Sequence, residues 1–199
     1  MADGLKGAIF IHLCNDGSIP GLSKCTPMPN QRPAPEECAP YYHSYINQVE
    51  GSDILNTLMD NKTQTLELLR SLPSPIWDHR YAPGKWTVKE LLLHVIDTER
   101  IFAYRALRIA RNDQTPIEGF EQDDYVPFSG AASRSSASII EEYAAVREAS
   151  LQLFRHCSPE MWNRQGTASG RPFTTRSLAY ITAGHELHHL RILRERYLK

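Results

Sequence analysis

Three histidines carry the strongest chemical signal in the chain: His94, His185 and His189. His185 and His189 stand four residues apart, a spacing that stacks two side chains on one helical face and lets two imidazoles grip one ion. His94 joins them by phase. It lies seven residues after Thr87, while the pair lies eleven and fifteen after Thr174, so the three differ by multiples of four when counted from two equivalent helix caps. The shared angular position is apolar: Leu178, Ile181, His185, His189 and Ile192 form one stripe, and His94 lies in line with Leu91 and Ile101. Imidazoles aimed at a core need partners, and one divalent metal with ligand nitrogens about 2.0–2.1 Å away satisfies three at once. The competing reading is three hydrogen-bonded structural histidines. Three protein ligands leave a fourth position for water or a substrate atom, which separates catalytic zinc sites from closed structural ones.

Carboxylates near these positions are the next candidates. Asp97 lies one turn from His94 and is a candidate to hold an imidazole tautomer, with an exposed helix carboxylate as the alternative; Glu99 and Glu186 are equally ambiguous. Glu186 is the candidate catalytic residue, because His185-Glu186-Leu187-His188-His189 matches the His-Glu-x-x-His signature in which the Glu is a general base. Only ten residues follow His189, so no third downstream ligand is available, and a peptidase is disfavoured. His188 is expected on the flank of its helix, and His12, His43, His79 and His156 have no comparable context.

Four amphipathic segments position these residues, and the fold class expected is all-α, a four-helix bundle. The first is expected over Asp53 to Ser71 behind Ser52. The second opens with the capping box Thr87-Val88-Lys89-Glu90 and ends near Asn112, the third opens with Ser138-Ile139-Ile140-Glu141 and ends near Cys157, and the fourth follows Thr174. Nothing alternates like a strand. About 25 residues separate the second helix from the third, far more than the 2 to 8 usual between antiparallel neighbours, so a long crossover and an up-down-down-up order are predicted. An internal echo supports two related helix pairs. Ser74 and Ser158 each begin Ser-Pro, and each is followed by a Trp (Trp77, Trp162), an Arg (Arg80, Arg164), a Gly with a basic neighbour (Gly84-Lys85, Gly170-Arg171) and a capping Thr.

Composition narrows the class. With 22 Lys+Arg against 23 Asp+Glu the 199-residue chain has a formal net charge of -1, so the electrostatic footprint of a nucleic-acid binder is missing. No apolar run approaches the roughly 18–20 residues of a spanning helix, so no membrane partner is expected. Cys14, Cys25, Cys38 and Cys157 show no metal-ribbon spacing and read as free thiols of a cytoplasmic protein, without a signal peptide. Residues 1–35 read as an irregular, Pro-rich extension, within which Met28 is an alternative start, and residues 36–199 as the bundle domain.

The stretches YAPGKWTVKELLLHVIDTERIFAYRALRIAR from Tyr81, EGFEQDDY from Glu118 and GRPFTTRSLAYITAGHELHHLRILRERYL from Gly170 resemble the DinB-like/YfiT-like metal-binding four-helix bundles, relatives of the bacillithiol- and mycothiol-dependent S-transferases. The similarity covers roughly residues 36–199. It implies a divalent metal, zinc or nickel, on His94, His185 and His189, and a homodimer. It does not imply one reaction. A metal with an open position lowers the pKa of a bound thiol, so activation of a low-molecular-weight thiol for attack on a small-molecule substrate is the leading reading. An anionic thiol would need a basic partner, and Arg105, Arg108, Arg134 and Arg191 are candidates. The alternatives are a small-molecule hydrolase and a non-catalytic metal- or partner-binding bundle. In that last case the segment from Asn112 to Ser136, with Phe120, Tyr125 and Phe128 among acidic residues, would be an interaction surface; in an enzyme it would cover the pocket; and the plainest reading is a crossover whose aromatics pin it to the bundle.

Overall fold

The computed structural model describes residues 31–199, so the readings made for His12, Cys14, Cys25 and Met28 lie outside the described residues. Four long helices form the body: α1 (Ile54–Ser71), α2 (Val88–Ala110), α3 (Ser136–Arg155) and α4 (Thr175–Ile192). Their ends follow local hydrogen bonding. Thr87 caps α2 through a full capping box with Glu90, and Thr174 caps α4 with Ser177. Two expected caps move. Asp53, not Ser52, accepts from the Asn56 amide at the start of α1, and Ser135, not Ser138, caps α3, because the Ser138 hydroxyl is engaged by the Arg134 guanidinium.

Direction around the bundle is read from the two halves of the core. One half joins Ile54 and Leu58 of α1, Phe102 to Ala110 of α2, Leu151 and Phe154 of α3 and Leu178 to Ala183 of α4. The other joins Leu69, Val88 to Ile96, Ile139 with Tyr143, and Leu190. The start of α1 therefore shares a layer with the ends of α2 and α3 and the start of α4, which is the predicted up-down-down-up order. α1 and α2 each pack against α3 and α4, so α1 lies diagonally across the bundle from α2, and α3 from α4. Between the two apolar halves sits a buried polar layer, with Thr65, His94, Glu99, Arg147, His185, Glu186 and His189.

The expectation of no strands is corrected by a short antiparallel hairpin, Gln165–Ala168 paired with Arg171–Thr174. Its two-residue turn, Ser169-Gly170, has positive φ at both positions (50° and 67°), the geometry that matches hairpin twist. The echo in sequence is real in shape up to this point: Trp77 and Trp162 are both buried in short helical turns, and Gly84 and Gly170 both have positive φ. Then the copies diverge, since only the second builds strands. Cys38 and Cys157 are free and buried, as expected of thiols. Among the described residues no helix is long and apolar enough to cross a membrane.

Residues 35–46 precede the first long helix and are ordered. They form short helical turns, ending in His43–Ile46, that lie along α4. Glu37 accepts from Thr174 and Arg176 at the N-terminus of α4, where a carboxylate also meets the favourable end of the helix dipole. Close approach is permitted by Gly184: a Cβ there would stand 2.0 Å from the Tyr45 carbonyl oxygen. Gly184→Ala is thus expected to push this segment off α4 and cost about 1–3 kcal/mol, read as a lowered urea midpoint. An unchanged midpoint would show that the segment contributes nothing to stability.

Candidate metal centre

The three histidines meet where α2 and α4 run antiparallel. His94 and His185 are 5% exposed and His189 is 9% exposed, and one nitrogen from each lies within 4.8 Å of the others. The Nε2 atoms of His94 and His189 are each 3.1 Å from Nε2 of His185. A pyridine-type nitrogen has one lone pair and a neutral imidazole one proton, so protons satisfy at most one of these two contacts well. Nitrogens about 2.0–2.1 Å from a common ion also come to rest roughly 3 Å apart, so the arrangement fits a shared cation better than a hydrogen-bond chain. The Nδ1 atom of buried His189 has no hydrogen-bond partner, and it would carry the ring proton if Nε2 gave its lone pair to an ion.

Neighbours set the ring orientations. Thr98, one turn along α2, places its hydroxyl 3.4 Å from Nδ1 of His94, and the Trp86 ring lies 4.9 Å from the same imidazole. Tyr45 sits edge-on to His185 at 5.3 Å, and Phe102 at 6.0 Å. Asp97, the candidate orienter, is corrected by this geometry: it pairs with Arg100, and Thr98 takes the position beside the ring. His188 lies on the flank as expected, half-buried against Tyr45 and His189.

Glu186 lies about 60–100° around α4 from the two histidines and turns its carboxylate away from them, toward α1 and α3. One carboxylate oxygen accepts from the hydroxyls of Thr65 and Tyr143, and the other from Arg147 at 2.8 Å. Arg147 is itself wholly buried and reaches Glu99 with two further bonds of 2.8 Å. Burial opposes its charge, but the carboxylates of Glu186 and Glu99 hold its pKa well above the usual value. These contacts correct the reading of Glu186 as a free base, and they identify Arg147, which sequence reasoning passed over. Nothing in the spacing of α3 singles out one Arg among the charged residues of that helix.

Burial lowers the pKa of all three imidazoles, to about 4 at His94, to about 3 at His189 and well below 6.5 at His185, where the neighbouring histidines add to the effect. The unfolded chain has a His pKa near 6.5. Between the two values the unfolded state binds protons that the folded state refuses, so stability present above about pH 6.5 is lost as pH falls. For the metal-free protein, His94 alone accounts for about 3 kcal/mol by pH 4. Urea midpoints of chelator-treated protein should fall over this range, with a shallower slope in His94→Leu; equal slopes would refute the assignment.

Two cavities adjoin the cluster. One, of about 410 Å³, reaches His189 and is lined by Tyr81, Lys85, Trp86 and Tyr197. The other, of about 290 Å³, reaches His185 and is lined by Tyr42, Tyr45, Phe102 and Phe120. Gln122 and Asp123, from a short helical turn of the α2–α3 crossover, border both. Part of the crossover therefore lies beside the centre. Of the basic candidates, Arg108 is paired with Asp113 and Arg134 with Glu142, Arg191 stands beside His188, and Arg105 is buried next to the second cavity.

Residues 58–193 match the sequence model of the DinB superfamily. No protein of curated function matches the chain. Among solved structures, the chain is similar to YfiT from Bacillus subtilis, described as a probable metal-dependent hydrolase with an unusual four-helix bundle topology: 14% identity, TM-score 0.61, covering 83% of this chain and 90% of that one. It is also similar to the DinB-like protein YjoA of the same organism, at 17% identity and TM-score 0.52, covering 71% of this chain and 86% of that one.

Proposed function

Because the chain belongs to the DinB superfamily, we propose that it is a metal-dependent enzyme in which His94, His185 and His189 hold one divalent ion, zinc or nickel, and which transfers a low-molecular-weight thiol to a second small molecule. The observation that carries the metal is the set of Nε2 atoms at 3.1 Å with no proton arrangement that satisfies them all. A bound ion would act there as a Lewis acid, favouring the anionic form of a thiol or of water in its open position. The protein supplies the rest. His185 and His189 each face a different cavity, so two reactants can approach one point from two sides, as a transfer reaction requires. Lys85 offers an ammonium group in the cavity beside His189, suited to an anionic group on the thiol. Tyr45 and Trp86 hold the imidazoles and keep the centre dry.

A hydrolase is the second reading, and one residue favours it. Asp123 borders both cavities and can take a proton from an attacking water, whereas Glu186 is committed to Arg147. The two separate in one screen of metal-loaded protein. Conjugation of glutathione, bacillithiol or mycothiol to monobromobimane, lost in His185→Ala and kept in Asp123→Asn, supports transfer. Thiol-independent ester hydrolysis that falls about 10²-fold or more in Asp123→Asn supports the hydrolase. Stoichiometric metal with neither activity overturns the enzyme reading and leaves a binding bundle.

A further inference from the structure

The two cavities that meet the imidazoles differ in charge. The one beside His189 carries Lys85 together with Asp123, whereas the one beside His185, of about 290 Å³, is walled by five aromatic rings and takes two carboxylates, Glu121 and Asp123, from the crossover. Among the described residues no lysine or arginine lines the second cavity. Both carboxylates are exposed, and neither belongs to an ion pair among the described residues.

The rings are arranged to offer faces. Tyr41 stands nearly perpendicular to Tyr42 and to Tyr45, with centroids 5.2 and 5.7 Å away and interplanar angles of 82° and 85°, and the Tyr41 and Tyr45 hydroxyls meet at 3.0 Å. In a perpendicular pair one ring presents its edge, so its own electron-rich faces stay open to another partner. Among the described residues no cation lies over Tyr41 or Tyr45. The floor is different. Phe102 is buried where Tyr41 is exposed, and Phe102 and Phe120 have the guanidinium carbon of buried Arg105 at 5.9 and 5.8 Å, so these two rings already serve a cation and suit the apolar body of a ligand rather than its charge.

Aromatic walls, carboxylates at the mouth and an apolar floor have together the chemistry of a receptor for an organic cation. We propose that this cavity binds a small arylalkyl amine in its ammonium form, the charge held by Tyr41, Tyr45, Glu121 and Asp123 and the ring laid against Phe102 and Phe120. That such an amine is the second small molecule of the transfer rests on the proposed function. Its recognition does not need the metal, so each reading can fail alone.

Calorimetric titration of the chelator-treated full chain with phenethylammonium and with phenethyl alcohol at neutral pH tests the recognition, and removal of metal excludes coordination of the amine to an ion. The two compounds differ in charge but hardly in shape. The ammonium is expected to bind at least about tenfold more tightly, as a cation over open ring faces with a charge-assisted hydrogen bond should. That preference should fall below about threefold in the Glu121→Gln, Asp123→Asn double variant and narrow in Tyr41→Leu. All three side chains are exposed, so the variants keep the fold. Ring-proton resonances of Tyr41 and Tyr45 in the wild type should shift on addition of the ammonium. Equal affinities, no binding of either compound, unmoved ring resonances, or a tenfold preference that survives in the double variant each overturns the proposal. Selective ammonium binding without thiol conjugation would sink the proposed reaction and leave the recognition standing, and conjugation without ammonium selectivity would do the reverse.

Discussion

His185→Ala protein will purify with less than about a tenth of the divalent metal carried by the wild type, while His188→Ala will retain it. The reason is positional. Nε2 of His185 is the atom that both other Nε2 atoms approach at 3.1 Å, so its removal takes away the centre of the cluster rather than one edge. Structural zinc held by four ligands is worth about 10–16 kcal/mol, so a single ligand contributes roughly 3–4 kcal/mol, or about 10²–10³-fold in Kd. Elemental analysis reads the occupancy, and competition with a chromophoric chelator reads the affinity. A second consequence follows from mass action: a ligand bound only by the folded state raises Tm, so a chelator should lower the Tm of the wild type and of His188→Ala but not of His185→Ala. His188 is the proper control because it lies on the same helix, between the two ligands in sequence, yet faces Tyr45 and Arg191. Full metal in His185→Ala would leave the three rings as a packing device and remove the basis of the proposed reaction.

The same cluster shows why some of this molecule is legible in its sequence. Helical phase is a local property, so counting from Thr87 and Thr174 was enough to place three imidazoles at one angular position, and the long segment after α2 was enough to set helices two and three parallel. Contacts that arise only on assembly carry no such signal. The bonds of Arg147 to Glu99 and Glu186 join residues separated by 48 and 39 positions on three helices, and no spacing rule connects them. Gly184 carries no signal in the sequence until Tyr45 is laid across it. The hairpin escaped for a different reason. Its strands are four residues long, too short for alternation to register, and Gly170, half of the Ser169-Gly170 turn, reads with Arg171 as the counterpart of Gly84-Lys85. At Ser138 the capping pattern was present, but a cap needs a free hydroxyl, and Arg134 occupies that one.

Arg147→Ala should be strongly destabilising, because it strips from Glu99 and Glu186 the only cation that the described residues give them while both remain buried. Breaking a buried ion pair by removing one partner costs about 3–5 kcal/mol, and for a chain of this size each kcal/mol lowers Tm by about 2–4 °C, so a fall of roughly 6–20 °C is expected in a thermal melt. Glu186→Gln is the informative contrast. Glutamine can turn its amide oxygen toward Arg147 and donate its NH2 to the hydroxyls of Thr65 and Tyr143, which can accept, and Arg147 stays paired through Glu99, so the loss should be smaller, near the 1–2 kcal/mol that separates a charged from a neutral hydrogen bond. Metal content and turnover should stay near the wild-type level in Glu186→Gln, since the carboxylate faces Thr65, Tyr143 and Arg147 and not the imidazoles. Melts, metal analysis and kcat measured on the same preparations separate structure from catalysis. If Glu186→Gln instead keeps its full stability and loses kcat by about 10²-fold or more, the carboxylate moves a proton during turnover. The ion-pair layer would then be part of the catalytic machinery rather than the girder that lets three apolar-facing histidines share the interior with a charged network.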